Sequence, residues 1–152
     1  MSLFFEYLKF LIFGDDQKKE EKILLVAEEC ATELLMQISE AGLSYSTEEK
    51  LKNKLTSKTV TAFMFGFISY YAEKNKLNNS KNTWSLTVLA FHKVYNSDQY
   101  GLEKYGEQLE IIKEIVRNNE SKNWIMEGKN AALYGKENKI NLFTSFLIGG
   151  SS

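Results

Sequence analysis

His92 is the sole histidine and Cys30 the sole cysteine of the chain, so any imidazole or thiolate chemistry must pass through these two side chains. Cys30 belongs to the stripe Ile23, Ala27, Cys30, Leu34, where a thiol is packing material and inert. His92 follows Phe91 beside the face formed by Trp84, Val88, Phe91 and Tyr95. A nucleophilic Cys30–His92 pair therefore requires two remote segments to converge. Glu29 and Glu33 stand one helical turn apart, a spacing at which two carboxylates can approach one metal ion. Helical di-iron sites also need Glu-x-x-His from two helices. No histidine follows at that spacing, and Glu28, Glu29 and Glu33 read as a solvated face.

Other constellations are missing. Phosphate-binding loops of the G-x-x-x-x-G-K-[ST] or G-x-G-x-x-G type do not occur; Gly101 and Gly106 sit within a helical pattern and no Lys-Ser or Lys-Thr follows them. Cys-x-x-Cys, His-x-x-x-His, calcium-loop and Gly-x-Ser-x-Gly spacings are absent as well. The expectation is therefore a protein with no catalytic residues, no metal and no cofactor.

What stands above background is aromatic content, 13% of 152 residues. Aromatic side chains fill cores first, and they also concentrate at protein interfaces and in apolar ligand pockets. Tyr7, Tyr71, Tyr100 and Tyr105 lie at helix ends or beside polar residues and are expected at the surface. Phe4 and Phe5 join Tyr7, Tyr100 and Tyr105 as candidates for a protein contact. Phe63, Phe67, Phe91 and Tyr95, with Phe65 and Tyr70, are the candidates for lining an apolar pocket.

The charge balance narrows the partners. With 19 basic against 20 acidic residues and a net charge of −1, no overall positive field captures nucleic acid. The run Lys50, Lys52, Lys54, Lys58 adjoins Glu48 and Glu49 and reads as a solvated face. Arg117 is the only arginine, which argues against bidentate recognition of carboxylate or phosphate. A lone cysteine cannot form an internal disulfide, which fits a reducing, cytoplasmic setting.

These residues must be positioned by helices. The chain has no proline, where average usage predicts roughly seven or eight in this length, and proline is what interrupts helix interiors. Residues 16 to 42 carry the clearest periodicity, with Asp16 as candidate N-cap and Gly42 as candidate C-cap. Ser46-Thr47-Glu48-Glu49 resembles a capping box. The segment Val60 to Ala72 is apolar nearly all round, as in a helix buried within a domain, and Gly66 would admit a neighbouring backbone. The alternation Phe63, Phe65, Phe67 also fits a strand; the length of the run favours helix. Further helices are expected from near Thr83 to Tyr95, from Gly101 to Arg117 with Leu102, Tyr105, Leu109, Ile112 and Val116 on one stripe, and from Ser121 to Tyr134 capped by Gly135. Asn78 to Trp84 echoes Asn118 to Trp124, two similar helix starts each followed by a core tryptophan.

The ends are aromatic. Residues 3 to 13 are apolar except for Glu6 and Lys9, too few for a spanning helix, which needs about 20, and unlike a signal peptide. The reading divides between a helix in the protein's own core, one docked on a second copy, and one lying in a membrane interface. The whole is expected to be one all-α domain, residues 1–152, of six or seven helices around the apolar Val60–Ala72 helix, with an aromatic N-terminal helix (1–14) and a short polar tail (149–152). Its expected role is non-enzymatic: a small protein-interaction module acting through an aromatic surface, as a homodimer or with another protein. The alternative is a binding protein for a small apolar ligand or lipid, touching a membrane peripherally through its N-terminal helix.

Overall fold

Periodicity, caps and chain length predict helices, and helices are what forms. The computed structural model describes residues 17–43, 58–96 and 101–138, together with Lys9 and Gly14. Its helices are α1 (Gln17–Leu43), α2 (Lys58–Lys74), α3 (Ser80–Asn96), α4 (Gly101–Asn118) and α5 (Lys122–Asn138), and no strand occurs among the described residues. The all-α expectation holds. The bundle of six or seven helices around one central helix is not matched by these five. Apart from Lys9, the aromatic segment before Gly14 lies outside the described residues, as do the capping box at Ser46 and the stretch after Asn138. Gly42 and Gly135, expected as caps, fall inside α1 and α5.

The apolar stripe of α1 buries as its spacing predicts: Ile23, Ala27, Cys30 and Leu34 are solvent-inaccessible or nearly so, with Val26 and Ala31 beside them. Helix α2 settles the choice between helix and strand. Phe63, Met64, Phe67, Ile68 and Tyr71 all bury, which a helix achieves only when neighbours cover it on several sides, and α2 touches each of the other four described helices. Its polar groups are satisfied locally or in pairs. Ser69 Oγ donates to the Phe65 carbonyl four residues back at 2.8 Å, and Thr61 Oγ1 donates to Gln108 Oε1 of α4 at 2.6 Å with both residues buried.

That buried hydrogen bond also explains a rotation of α4. The inward face is Tyr105, Gln108, Ile112 and Ile115, while Val116, expected inside, is 57% exposed. Sequence hydrophobicity alone places Gln108 outside; with its amide paired to Thr61, the desolvation penalty is offset and it takes a core position.

Two helix ends stop by the same device. Lys76 adopts a left-handed conformation (φ 59°), with Lys76 N–H donating to Glu73 O and Leu77 N–H to Ala72 O. Asn119 (φ 56°) repeats this, with bonds from Asn119 to Val116 O and from Glu120 to Ile115 O. Both are Schellman closures, which satisfy carbonyls that a helix end would otherwise strand. Asn79 then caps α3, its Oδ1 accepting from Asn82 N–H at 2.8 Å. The echo between residues 78–84 and 118–124 thus leads into two helices through different parts, since Asn79 caps the helix ahead while Asn119 closes the one behind. Trp84 and Trp124 are half-buried rather than core residues.

The tightest junction is α2 on α5. A Cβ at Gly66 would overlap the carbonyl oxygen of Ile125, and one at Gly128 would overlap that of Phe63. Each helix therefore supplies the missing side chain that lets the other's backbone approach, and α2–α5 is the most extensive helix pair described. Ion pairs brace it at both ends: Lys58 with Glu120, and Lys129 Nζ with Glu73 Oε1 at 2.7 Å.

Candidate cleft between α2, α3, α4 and α5

The close approach of α5 to α2, and the rotation of α4 that turns Val116 outward, together shape a cleft of about 540 Å³. Phe65, Ser69 and Glu73 reach it from α2, one turn apart in succession, and Lys129 from α5. The α2–α3 turn and the start of α3 supply Asn78, Ser80, Thr83 and Trp84, and α4 supplies Ile112, Lys113, Val116 and Arg117. The walls have two characters. Phe65, Trp84, Ile112 and Val116 form an apolar surface, and Phe65 and Trp84 are half-buried against the core. Lys113, Arg117 and Lys129 bring positive charge, and Glu73 is the one lining carboxylate.

Several of these side chains are held. Lys129 is tied to Glu73 across the α2–α5 junction. Lys113 stands over the Trp84 ring, its Nζ 5.6 Å from the centroid, and lies 3.2 Å from Glu110 one turn back; a cation over an indole face is attracted by the ring quadrupole. Thr83 Oγ1 donates to the Leu77 carbonyl at 3.2 Å, fixing the wall at the start of α3.

The residues singled out in the sequence are placed differently. Phe4, Phe5, Tyr7 and Tyr100 lie outside the described residues. Tyr105, expected at the surface, is 3% exposed, and its hydroxyl donates to the Val88 carbonyl at 2.8 Å. Tyr71 is likewise buried, stacked on Phe67 with ring centroids 5.6 Å apart. Tyr105 buries because its ring packs against His92 of α3 and its hydroxyl finds the Val88 carbonyl, and Tyr71 because α2 is covered by neighbouring helices on several sides. Phe63, Phe67, Phe91 and Tyr95 belong to the packed core and do not line the cleft. Phe65 does, and so does Trp84, which sequence reasoning assigned to the core. Lys113 and Arg117 were not singled out as site residues; the signal that marks them is Val116, an apolar residue left between two cations one turn apart.

Cys30 and His92 fall to different fates. The Cys30 thiol is fully buried, and burial, then the nearby Glu29 and Glu33, push it well above its ordinary value of 9.0, so it stays protonated at neutral pH and is no nucleophile. Burial holds the His92 imidazole below its ordinary value, and its ring packs edge-on to Tyr105 at 5.5 Å. Among the described residues, no three His, Cys, Asp or Glu side chains gather where a metal ion would fit. No helix among them is long and apolar enough to cross a membrane.

The buried acids dictate an alkaline limit. Burial raises the Tyr105 hydroxyl above its ordinary 10.0, and raises that of Tyr71, where Cys30 and Glu33 add to the effect. An acid whose pKa is higher in the folded state loses its proton first in the unfolded chain, so stability is intact below the unfolded value and falls as pH rises through it. Unfolding free energy is expected to decline from about pH 9.0, where Cys30 of the unfolded chain ionises, and more steeply above 10.0 as Tyr71 and Tyr105 join. Urea midpoints measured across this range check it, and a flat profile to pH 11 would contradict the burial of these groups. Comparison with protein-family models, with curated proteins and with solved structures finds no match for this chain.

Proposed function

We propose that the protein is a non-enzymatic binding protein for a small ligand with an apolar body, held in the cleft between α2, α3, α4 and α5. One observation carries the reading: the cleft's volume of about 540 Å³ falls within the roughly 300–1,000 Å³ of small-molecule sites, and its apolar surface bears a few convergent polar groups as such sites do. Phe63, Phe67, Phe91 and Tyr95, the sequence candidates for a pocket lining, are buried in the core, so the proposal places the ligand on the face beyond them. The proposal keeps the cytoplasmic setting expected from the single cysteine.

The test uses phenylnaphthylamine, a neutral dye that fluoresces when it leaves water. The wild-type protein is expected to bind it with a micromolar Kd and to lose Trp84 emission on binding. Val116→Glu places a carboxylate on the apolar wall at a residue 57% exposed, so the fold tolerates it, and affinity should fall at least about fivefold, equivalent to roughly 1 kcal/mol. No binding by the wild type, or equal binding by Val116→Glu, would remove the proposal. A second reading, self-association, has one observation in its favour: Leu25 and Met36 are 72% and 54% exposed, and their separation along α1 returns both to nearly the same helix face. Glu29 and Thr32 interrupt that strip, so it ranks second; native mass spectrometry of the dye-free protein decides it by single or doubled mass.

A further inference from the structure

The cleft carries a charge opposite to that of the chain. The protein as a whole has a net charge of −1, whereas the lining residues set Lys113, Arg117 and Lys129 against Glu73. Glu73 is engaged by Lys129 at 2.7 Å, and these two charges cancel locally. Lys113 and Arg117 remain, one turn apart on α4, beside the apolar surface of Phe65, Trp84, Ile112 and Val116. Lys113 is shared with Glu110 and the Trp84 ring; Arg117 has no carboxylate within ion-pair distance among the described residues. The rarity of arginine argues against an anion site from sequence alone, but the one arginine, Arg117, lines this cleft, and its planar fork is the side chain suited to binding an anion through two parallel hydrogen bonds.

Resting on the ligand-binding reading of this cleft, we propose that the ligand is a small organic anion: a carboxylate, sulfonate or phosphate ester carried on a flat aromatic body. The body lies against Phe65 and Trp84, and the anionic group meets Arg117 and Lys113. A cation is repelled from this site, and a neutral molecule uses only the apolar surface. The polyanion nucleic acid is a poor fit, because a few cations on an otherwise acidic chain give no track for a phosphate backbone.

Two dyes that share a ring system separate the contributions: phenylnaphthylamine, which is neutral, and anilinonaphthalene sulfonate, which adds one anionic group. Arg117→Gln is expected to weaken the sulfonate about fivefold while changing the neutral dye less than about twofold, and Arg117→Lys should recover part of the loss. Added salt should weaken the sulfonate alone, since screening acts on the charged contact. Thermal unfolding of each variant confirms an intact fold, and Lys113→Gln supplies the same comparison if Arg117→Gln loses its fold. If the neutral dye binds in the cleft and neither variant discriminates between the dyes, the anion inference is wrong while the cleft reading stands. If neither dye binds wild-type protein, both fall together.

Discussion

Replacing Gly66 with alanine is expected to cost about 3 kcal/mol or more of unfolding free energy, at the upper end of what overpacking one methyl group does. In an ordinary helix interior the same change gains up to about 1 kcal/mol, because glycine is the costlier residue there. The sign reverses at Gly66 because the added Cβ would stand 2.9 Å from Ile125 Cα and closer still to that residue's carbonyl. A backbone cannot yield by rotating a side chain, so the whole of α5 must move away from α2. Gly128→Ala makes the reciprocal clash, 2.9 Å from the Phe67 nitrogen and closer to the Phe63 carbonyl, and should cost a similar amount. The double variant should cost less than the sum, since once the helices have parted the second methyl group meets no obstacle. Gly106 is the control: it lies inside α4, exposed, with nothing near its absent Cβ, and Gly106→Ala should stabilise by about 0.5–1 kcal/mol. Urea unfolding of the three single variants decides the matter, and equal midpoints for Gly66→Ala and Gly106→Ala would refute the packing of α5 on α2.

Truncating Phe67 to alanine is expected to cost about 3–5 kcal/mol, the range for a large aromatic removed from a close-packed interior. The residue is fully buried, stacks on Tyr71, and occupies the α2 face one residue from the Gly66 crossing. The experiment also discriminates between two roles for the aromatic cluster. If Phe67 walled an open apolar pocket, its removal would enlarge the pocket and improve dye capture with a small loss of stability. As a core residue it leaves a void that neighbours fill only in part, and stability falls while cleft binding is unaffected in the molecules that remain folded. Unfolding free energy and phenylnaphthylamine affinity, measured on the same sample, separate the outcomes. A loss under about 1 kcal/mol would return Phe67 to the pocket lining.

Much of the secondary structure is legible in local spacing. The stripe of α1, the absence of proline, and the polar breaks at Asn75 to Asn82 and at Asn118-Asn119 depend on neighbours a few positions apart, and helices appear close to where those signals place them, α3 beginning at Ser80 inside the first break. Gly66 was legible too, as a glycine in the middle of an apolar helix has few uses besides close approach. Its counterpart was not: Gly128 sits in a helix of mixed polarity, and only the packing of α5 onto α2 gives it meaning.

The errors share a physical origin. Tyr71 and Tyr105 looked exposed because a phenol beside polar residues usually keeps its hydroxyl in water; the Val88 carbonyl offers Tyr105 an equivalent bond inside. Gln108, which the sequence reading did not single out, buries in the same way with Thr61 as its partner. Burial of a polar side chain depends on whether a remote group satisfies it, and remote groups are invisible to periodicity. The cleft is the extreme case. Its walls come from residues 65 to 129 on four helices, and no pair of them carries a motif. By itself the sequence determined the all-α class and most helix positions among the described residues, because hydrogen bonding and side-chain spacing within a helix are short-range. Which faces turn inward, that α5 lies against α2 through paired glycines, and that the one arginine lines the same cleft as Phe65 and Trp84 were decided by the tertiary structure, since packing and Coulomb forces act between segments brought together only by folding.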